Sequence, residues 1–317
     1  MTQARRICRI PALAGIFLVA TLFLGGCATP QMAALKAQWP DSLATRVSLK
    51  NVPFYPQEEH QCGPAALATV AGVAGVTLQP EALVAQVYLP GREGALSIEL
   101  LAATRRNGLL PYPLQPRVED LMREVAAGNP VLVLQNLAFA WYPVWHYAVV
   151  IGFDRERNVL ILNSGRSERL EMSLFTFERT WARADHWAML ALPPGQLPAT
   201  AQTTSYVEAA AALERVNPAA AQQAYAAAAR QWPQERAALL GLGNTAYALG
   251  QREAAITAYR VAIAQHADFA DAWNNLAQAL LDDGQRAQAA QAIARAIALG
   301  GTRLPRYLEL QQEIENK

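Results

Sequence analysis

The pattern of hydrophobic and polar positions changes along the chain, and each pattern predicts a different kind of structure. A continuous apolar run covers residues 12–24. Between residues 52 and 192, short β-rich runs alternate with stretches of helical spacing. Beyond residue 205 the spacing is helical throughout and alanine dominates. The mixed block therefore predicts an α+β domain, and the last block predicts an all-α region.

Within the α+β block, the predicted helices come first and the strands later. Helical spacing is found over residues 65–75, 97–107 and 118–127. The β-rich runs cover residues 130–135, 147–153, 159–163 and 187–192. A polar turn at residues 154–158 separates the second run from the third, so these two runs are predicted to form an antiparallel hairpin.

The first 26 residues have the features of an export signal. Three arginines precede the apolar run, which is about 13 residues long and therefore shorter than the ~20 residues of a membrane-spanning helix. The run ends in Leu-Gly-Gly-Cys at residues 24–27, which resembles the lipobox of bacterial lipoproteins. The alternative is an ordinary cleavage site at which Cys27 stands by chance.

The lipobox resemblance implies how the N-terminal part is processed and where the protein is located. It implies a signal peptide over residues 1–26, a lipid on Cys27 as the new N-terminus, and a tether over residues 27–49. Ala28 has no carboxylate that would favour retention in the inner membrane. The expectation is therefore a bacterial outer membrane lipoprotein on the periplasmic face.

A proline-rich segment, residues 193–204, is predicted to link the α+β block to the helical block, residues 205–317. The helical block repeats at an offset of 34 residues, since residues 236–269 and 270–303 carry similar residue types at the same places. Together with a weaker earlier copy, these segments resemble the tetratricopeptide repeat, a pair of antiparallel helices. The resemblance implies a helical solenoid with a capping helix from Leu304, whereas the alternative is an unrelated alanine-rich bundle.

Composition excludes several classes of protein. The 317 residues are 52% hydrophobic and 17% charged, with a mean hydropathy of +0.06, which excludes an intrinsically disordered chain. The net charge of +1 gives no reason to expect binding to nucleic acid. Four histidines without paired spacing and three cysteines predict neither a metal site nor a disulfide framework. The sequence also has no phosphate-binding loop, so no cofactor is expected.

Cys62 is the one cysteine that the predicted processing leaves as a free thiol. It stands directly before Gly63 and Pro64, and proline is favoured at the first position of a helix. A thiol at a helix N-terminus lies among unsatisfied backbone amides, which stabilise a thiolate. Cys62 is therefore predicted to be a nucleophile, and the alternative is a small residue of the core.

A nucleophilic thiol needs a base, and His146 is the histidine that fits best. It stands at the start of a predicted strand, after an aromatic loop at residues 141–145, where a base would be both rigid and accessible. Asn163 ends the next strand of the predicted hairpin and is expected to hold the imidazole in the correct tautomer. The other three histidines fit less well. His60, two residues before the thiol, could line the cleft, His186 is predicted to be structural or on the surface, and His266 lies in the repeats.

The order of Cys-Gly, a histidine at a strand start, and Asp or Asn on the next strand resembles the papain-like cysteine peptidases of the C39 kind. The resemblance covers residues 50–192 and implies three catalytic residues: Cys62, His146 and Asn163. The full layout of lipoprotein signal, C39-like domain and repeats resembles a group of proteobacterial lipoproteins described as C39-like cysteine peptidases.

Two glutamines compete for the oxyanion hole that this resemblance implies. Gln57 matches the family pattern, whereas Gln61 stands beside the thiol. The family members that trim bacteriocin leaders carry Asp-Pro where this chain has Asn163-Ser164, and they are fused to a transporter, so leader trimming is not expected. Asparagine can replace aspartate, because its amide oxygen also accepts the imidazole N–H.

These observations predict a membrane-anchored periplasmic cysteine peptidase that hydrolyses peptide bonds in a protein or peptide substrate through an acyl-enzyme. Two alternatives stay open. The bond could be an isopeptide or belong to a peptidoglycan stem, or the domain could be catalytically idle and serve as a protein-binding or assembly scaffold. The repeats motivate the scaffold, since four polar residues are predicted on their concave, partner-binding face: Asn244, Tyr247, Asn274 and Gln278.

Overall fold

A computed structural model of the protein describes residues 29–56, 61–89, 91 and 94–316. The predicted signal peptide, Cys27, Gln57 and His60 lie outside the described residues. No helix in the described part of the chain is long and apolar enough to span a membrane.

The N-terminal region contains both helices and strands, as the hydrophobic pattern predicts. Its helices are α1 (Pro30–Ala37), α2 (Cys62–Val73), α3 (Pro80–Val87), α4 (Ser97–Arg106), α5 (Val118–Ala126) and α6 (Leu174–Ala182). Its strands are β1 (Arg46–Ser48), β2 (Tyr88–Leu89), β3 (Gly94–Ala95), β4 (Leu110–Pro113), β5 (Val131–Asn136), β6 (Trp145–Asp154), β7 (Val159–Ser164), β8 (Ser167–Ser173) and β9 (Ala188–Leu192). The predicted helices correspond to α2, α4 and α5, and the predicted strands correspond to β5, β6, β7 and β9.

The large sheet is antiparallel and has its long strand β6 near the centre. The strand order is β4-β9-β5-β6-β7-β8, and β1 also pairs with β6. The predicted hairpin of β6 and β7 is present, with Val149 opposite Asn163 and Val150 opposite Leu162. An irregularity between Val150 and Gly152 shifts the register of this pair, as an extra residue in one strand does.

Helices cover both faces of this sheet. On one face, α2 is apolar around nearly its whole circumference because it is buried beneath α3 and α4, where Leu67 and Leu100 pack against Tyr147 and Val149 of β6. On the other face, α1, α5 and α6 bury Trp181 and their other apolar residues against the sheet. The sheet thus presents one end of β6 to the N-terminus of α2.

The segment predicted to be a tether is instead part of the fold over residues 30–48. Met32 and Leu35 of α1 are buried in the main core. The carboxylate of Glu178 on α6 accepts the backbone N–H groups of Gln31 at 2.9 Å and Met32 at 2.7 Å, which places a negative charge at the N-terminus of α1. The prediction of a tether up to residue 49 is therefore wrong, because this anchoring depends on a residue far away in the sequence.

The C-terminal region is helical throughout, as predicted. Its helices are α7 (Thr203–Glu214), α8 (Pro218–Gln231), α9 (Arg236–Ala248), α10 (Arg252–Gln265), α11 (Ala270–Asp282), α12 (Arg286–Leu299) and α13 (Leu304–Asn316). At the helix crossings a large residue meets a small one, since the rings of Tyr225 and Tyr259 lie where a side chain at Gly241 and Gly243 would stand. The last helix covers the preceding repeat with buried Leu310, as predicted for a cap.

The segment predicted to link the two regions is docked on the first one. The buried carboxylate of Glu124 accepts the backbone N–H and the hydroxyl of Thr200, each at 2.6 Å, and the backbone N–H of Ala199 at 3.2 Å. The rings of Tyr112 on β4 and Tyr206 on α7 lie 6.5 Å apart, and both belong to the same hydrophobic core. The two regions therefore share one core, and residues 193–204 do not act as a free spacer.

Candidate active site

Cys62 is the first residue of α2, as the following Gly-Pro pair predicts. The backbone amides of Tyr147, Gly63 and Cys62 itself lie near its thiol and act to lower the thiol pKa. Glycine at position 63 permits this close approach, because a Cβ there would lie 2.7 Å from Cβ of Ala95 and 3.6 Å from the Tyr147 ring. The sulfur therefore lies against the strand residue that directly follows His146.

His146 is the second residue of β6 and stands opposite Gln135 of β5. Its Nε2 lies 2.8 Å from the hydroxyl Oγ of Ser164, the last residue of β7. Because Nε2 is engaged by this hydroxyl, Nδ1 is the ring nitrogen left for a second interaction. This hydrogen bond holds the imidazole of His146 in one orientation at the start of β6.

Asn163 has other partners than the one predicted for it. Its Oδ1 accepts the backbone N–H of Arg169 at 3.1 Å, and its Nδ2 donates a long hydrogen bond of 3.5 Å to the Pro53 carbonyl. The structure thus gives His146 the neighbouring Ser164 as its partner. Adjacent residues of a strand point to opposite faces, so a difference of one position changes which side chain can reach the ring.

Burial keeps both groups neutral. It raises the pKa of the Cys62 thiol, and this effect outweighs the three backbone amides, which act in the opposite direction. Burial also lowers the pKa of the His146 imidazole. The thiolate predicted from the helix N-terminus alone is therefore not favoured in this state. The resting site holds a thiol and a neutral imidazole, and the structure gives no hydrogen bond between these two described residues.

Tyr147 is a site residue that the sequence analysis missed. Its backbone amide lies near the thiol, and burial raises the pKa of its phenol to about 12, so it stays protonated. The hydroxyl is 3.0 Å from the Ser97 hydroxyl, and the ring packs edge-on against Trp187 with centroids 5.7 Å apart. The only sequence signal is its position directly after His146.

The remaining candidates lie away from this centre or outside the described residues. Gln61 directly precedes α2, and its carbonyl accepts the backbone N–H of Ala65 at 3.2 Å. The competing Gln57 lies outside the described residues. His186 packs edge-on against Trp181 with ring centroids 4.8 Å apart, which is a structural role, and His266 is half-buried in the repeats, where its Nε2 lies 2.9 Å from the Gln234 carbonyl.

The four residues predicted on the concave face of the repeats line one cavity of about 440 Å³. We call this cavity the repeat groove; its predicted members are Asn244, Tyr247, Asn274 and Gln278. Oδ1 of Asn244 accepts the Tyr259 hydroxyl at 3.0 Å, and the Tyr247 hydroxyl bonds the carboxylate of Asp282. The side-chain oxygen of Asn274 is buried and has no hydrogen-bond partner among the described residues. The groove therefore contains a preformed polar network with one unused acceptor.

The described residues hold no cluster of three or more His, Cys, Asp or Glu side chains that could bind a metal ion. The candidate active site contains a thiol, an imidazole, a hydroxyl and backbone amides. These are the groups needed for nucleophilic attack with a general base.

Comparison with known families agrees with both parts of the molecule. Residues 49–189 match the model of the Peptidase_C39 like family. Residues 206–261 match a model described as a tetratricopeptide repeat, and residues 243–284 match a second model described as a TPR repeat. None of the curated proteins matches the sequence.

Solved structures similar to parts of the chain fall into the same two groups. A protein from Bacillus anthracis described as a C39-like peptidase is 19% identical with a TM-score of 0.39, over 47% of this chain and 98% of its own. The Yersinia enterocolitica type III secretion chaperone SycD, in complex with a peptide of the translocator YopD, is 19% identical with a TM-score of 0.34, over 36% of this chain and 92% of its own. The Sgt2 TPR domain from Aspergillus fumigatus is 24% identical with a TM-score of 0.34, over 37% of this chain and 82% of its own.

Proposed function

The chain is a C39-like peptidase domain followed by tetratricopeptide repeats, and from this premise we propose that it is a cysteine peptidase. It hydrolyses peptide bonds through an acyl-enzyme and is anchored as a lipoprotein on the periplasmic face of a bacterial outer membrane. The observation that carries the proposal is the position of the Cys62 thiol at the N-terminus of α2, against the backbone amide that follows His146. The family match over residues 49–189 supports the same assignment.

The proposed reaction starts from the neutral pair. Nδ1 of His146 takes the thiol proton as the Cys62 sulfur attacks the carbonyl carbon of the substrate, and the imidazolium then gives this proton to the leaving amine. Water hydrolyses the resulting thioester with the same imidazole as base. Ser164, and not Asn163, is proposed to orient the ring, because its hydroxyl lies 2.8 Å from Nε2.

The oxyanion of the tetrahedral intermediate needs hydrogen-bond donors near the sulfur. The start of α2 offers backbone amides, and Gln57 or Gln61 is proposed to supply a side-chain amide in addition. Loss of one such donor typically lowers the rate by roughly 100- to 1,000-fold. Replacing each glutamine by alanine in turn would identify the donor, since only one of the two substitutions should lower the rate of peptide cleavage by this factor.

The test of the peptidase assignment uses purified full-length protein and a synthetic peptide library, with new termini identified by mass spectrometry. Cys62→Ala and His146→Ala should abolish cleavage, whereas His266→Ala, which removes a half-buried imidazole in the repeats, should retain it. Isopeptide-linked peptides and peptidoglycan stem peptides form two further arms, which identify the bond. Cleavage that survives Cys62→Ala would refute the assignment.

A catalytically idle scaffold is the second candidate function, and one observation favours it. The thiol and the imidazole are both neutral in the structure and do not hydrogen-bond to each other. In a scaffold, His146→Ala would not change the rate at which iodoacetamide alkylates Cys62, because no base assists the thiol. In a peptidase, the same substitution should slow alkylation.

The repeats are proposed to recruit a peptide or protein partner through the repeat groove. The unpaired buried oxygen of Asn274 supports this, since a bound backbone N–H would satisfy it. Immobilised full-length protein with Asn274→Ala should lose partners that the wild type retains from a periplasmic extract, and Gln222→Ala, outside this groove, should not.

The anchor is proposed from the lipobox resemblance alone. A metabolically incorporated alkyne fatty acid should label the wild type and not Cys27→Ser. Labelled protein should fractionate with the outer membrane, and equal labelling of both proteins would refute lipidation at Cys27.

A further inference from the structure

A loop between β5 and β6 exposes apolar side chains that ordinary folding would bury. We call residues 137–145 the aromatic loop; it contains no charged residue. Its large side chains and their exposed fractions are Leu137 44%, Phe139 63%, Trp141 80%, Tyr142 67%, Val144 46% and Trp145 53%. A contiguous apolar patch of this kind on a soluble domain indicates a surface that meets a partner or a membrane.

The aromatic loop is held in a defined shape. The side chain of Asn136, which is 1% exposed, accepts the backbone N–H groups of Ala138 at 3.1 Å and Val144 at 3.0 Å and donates to the Phe139 carbonyl at 3.2 Å. The rings of Phe139 and Trp141 are stacked with centroids 5.5 Å apart. The exposure of these rings is therefore built into the loop and does not result from an absence of structure.

The described chain begins at the same end of the molecule. Asn136, at the base of the loop, accepts two hydrogen bonds on its carbonyl from the Arg183 guanidinium, at 2.9 and 3.2 Å. Arg183 directly follows α6, and Glu178 in the middle of this helix binds the backbone of Gln31 at the start of α1. The N-terminus of α1 and the base of the aromatic loop are thus hydrogen-bonded to side chains only five positions apart, at the middle of α6 and directly after it.

The predicted lipid anchor is close in sequence to the first described residue. Thr29 is the first described residue, and only Ala28 separates it from Cys27. Two residues of extended chain span at most about 7 Å. A lipid on Cys27 would therefore hold this end of the domain, and with it the aromatic loop, at the membrane surface.

We propose that the aromatic loop docks on the lipid surface beside the anchor. This inference rests on the proposed lipidation of Cys27. Trp and Tyr prefer the interface between headgroups and acyl chains, because they combine an apolar body with a polar N–H or O–H. A loop without charged side chains has none to desolvate at this depth. The lipid and the loop together fix how the domain is oriented on the membrane.

Docking would also place the candidate active site at the bilayer. His146 directly follows Trp145, the last residue of the loop. Substrates would then be polypeptides that lie on or emerge from the membrane surface. A second copy of the chain and a soluble polypeptide are the competing occupants, and the test below separates them from the lipid.

The test measures quenching of tryptophan fluorescence by lipid. The lipidated full-length protein is reconstituted in vesicles of phosphatidylethanolamine and phosphatidylglycerol that contain a phospholipid brominated near its headgroup. Of the seven tryptophans, Trp141 and Trp145 are the ones in the loop. The variant with Trp141→Leu and Trp145→Leu should lose most of the quenching, whereas Trp273→Phe, in the repeats, should leave it unchanged. Quenching that is equal in the wild type and the double variant overturns the proposal.

A second arm separates the loop from the anchor. The mature chain from Ala28 onward, which carries neither Cys27 nor the apolar signal peptide, is titrated with the same brominated vesicles at high lipid concentration. Quenching that depends on Trp141 and Trp145 in this chain supports the loop even if lipidation fails. If neither form is quenched, the proposal is refuted. Slower peptide cleavage by the double variant would then assign the loop to substrate binding. Loss of self-association in the double variant would assign it to contact with a second copy.

Discussion

The two candidate binding surfaces of the molecule hold their polar groups in opposite ways. In the active site, a thiol and an imidazole come from segments 84 positions apart in the sequence, and burial keeps both of them neutral. In the repeat groove, the polar residues come from neighbouring repeats, and most of them already bond to one another. A site built from distant segments depends on the whole fold, whereas a groove built from adjacent helices depends on its own repeats.

This difference has a consequence for function. Under the proposed mechanism, a proton must move from the Cys62 thiol to the His146 imidazole before the sulfur attacks a substrate. The repeat groove needs no such step, because its unpaired acceptor on Asn274 is ready to accept a donor. Recruitment and reaction are therefore expected to respond differently to mutation and to pH.

The largest effect is expected where the two regions meet. Glu124→Ala removes a buried carboxylate that accepts hydrogen bonds from Thr200, Ala199 and Asn129. The donors would be left buried and unsatisfied, so the free energy of unfolding should fall by about 3 kcal/mol, as measured by urea denaturation. Glu119→Ala, which breaks a more exposed pair with Arg123, should cost less than about 1 kcal/mol. If both variants lose the same small amount of unfolding free energy, residues 193–204 do not couple the N-terminal region to the repeats.

A smaller effect is expected from the residue that orients the imidazole. Ser164→Ala removes the hydroxyl next to Nε2 of His146, and kcat for peptide cleavage should fall about tenfold, while KM stays unchanged. Ser164→Thr keeps the hydroxyl and should restore the rate. Asn163→Ala should instead lower thermal stability, because it removes the acceptor for the Arg169 amide. If Asn163→Ala lowers kcat and Ser164→Ala does not, the predicted role of Asn163 is correct.

The pH dependence tests the neutral state of the active site. Because burial raises the pKa of Cys62, alkylation by iodoacetamide should reach its midpoint above the ordinary thiol value of about 8.5. This raised pKa contributes stability that is present below about pH 8.5 and is lost as the pH rises through the folded-state value. The lowered pKa of His146 contributes stability that is present above about pH 6.5 and is lost as the pH falls. An alkylation midpoint below that of a free thiol would show that a thiolate is present at rest.

The smallest effect is expected in the repeat groove. Asn274→Leu removes an oxygen without a partner among the described residues, together with an Nδ2 that donates to Asn275 at 3.0 Å; because leucine is the better helix former, stability should change by less than about 1 kcal/mol. Thermal denaturation measures this, with Asn244→Leu as the matched control. That control removes an acceptor of two hydrogen bonds and should lower the melting temperature. A clear loss of stability in Asn274→Leu would mean that the oxygen is already satisfied.

The repeats were largely predictable because their information is local. The small residues at Gly241 and Gly243 stand where the large residues Tyr225 and Tyr259 cross, and a fixed spacing makes such pairs visible in the sequence. The same spacing brought all four predicted concave residues into one groove. Tyr259 and Asn275, which complete its network, could have been found by extending the same pattern.

The active site was predictable only in part. The helix start at Cys62 and the strand start at His146 have clear local signals in Gly63-Pro64 and in the following β-rich run. The partner of the imidazole depends on the register of β6 and β7, which shifts between Val150 and Gly152, and spacing alone does not reveal a shift. The raised thiol pKa depends on burial, and the anchoring of α1 depends on a carboxylate about 150 positions away. These effects arise only when the chain is folded.

The shared core beneath Tyr112 and Tyr206 determines how the two surfaces can cooperate. A flexible connection would let a captured polypeptide sample many positions, and its effective concentration at the thiol would depend on the length of the connection. If the proposed peptidase site and the proposed partner-binding groove act on the same polypeptide, the first repeat packed on the sheet would keep the distance between the two sites constant. Such a polypeptide would have to be long enough to span this distance between its recognised segment and its scissile bond.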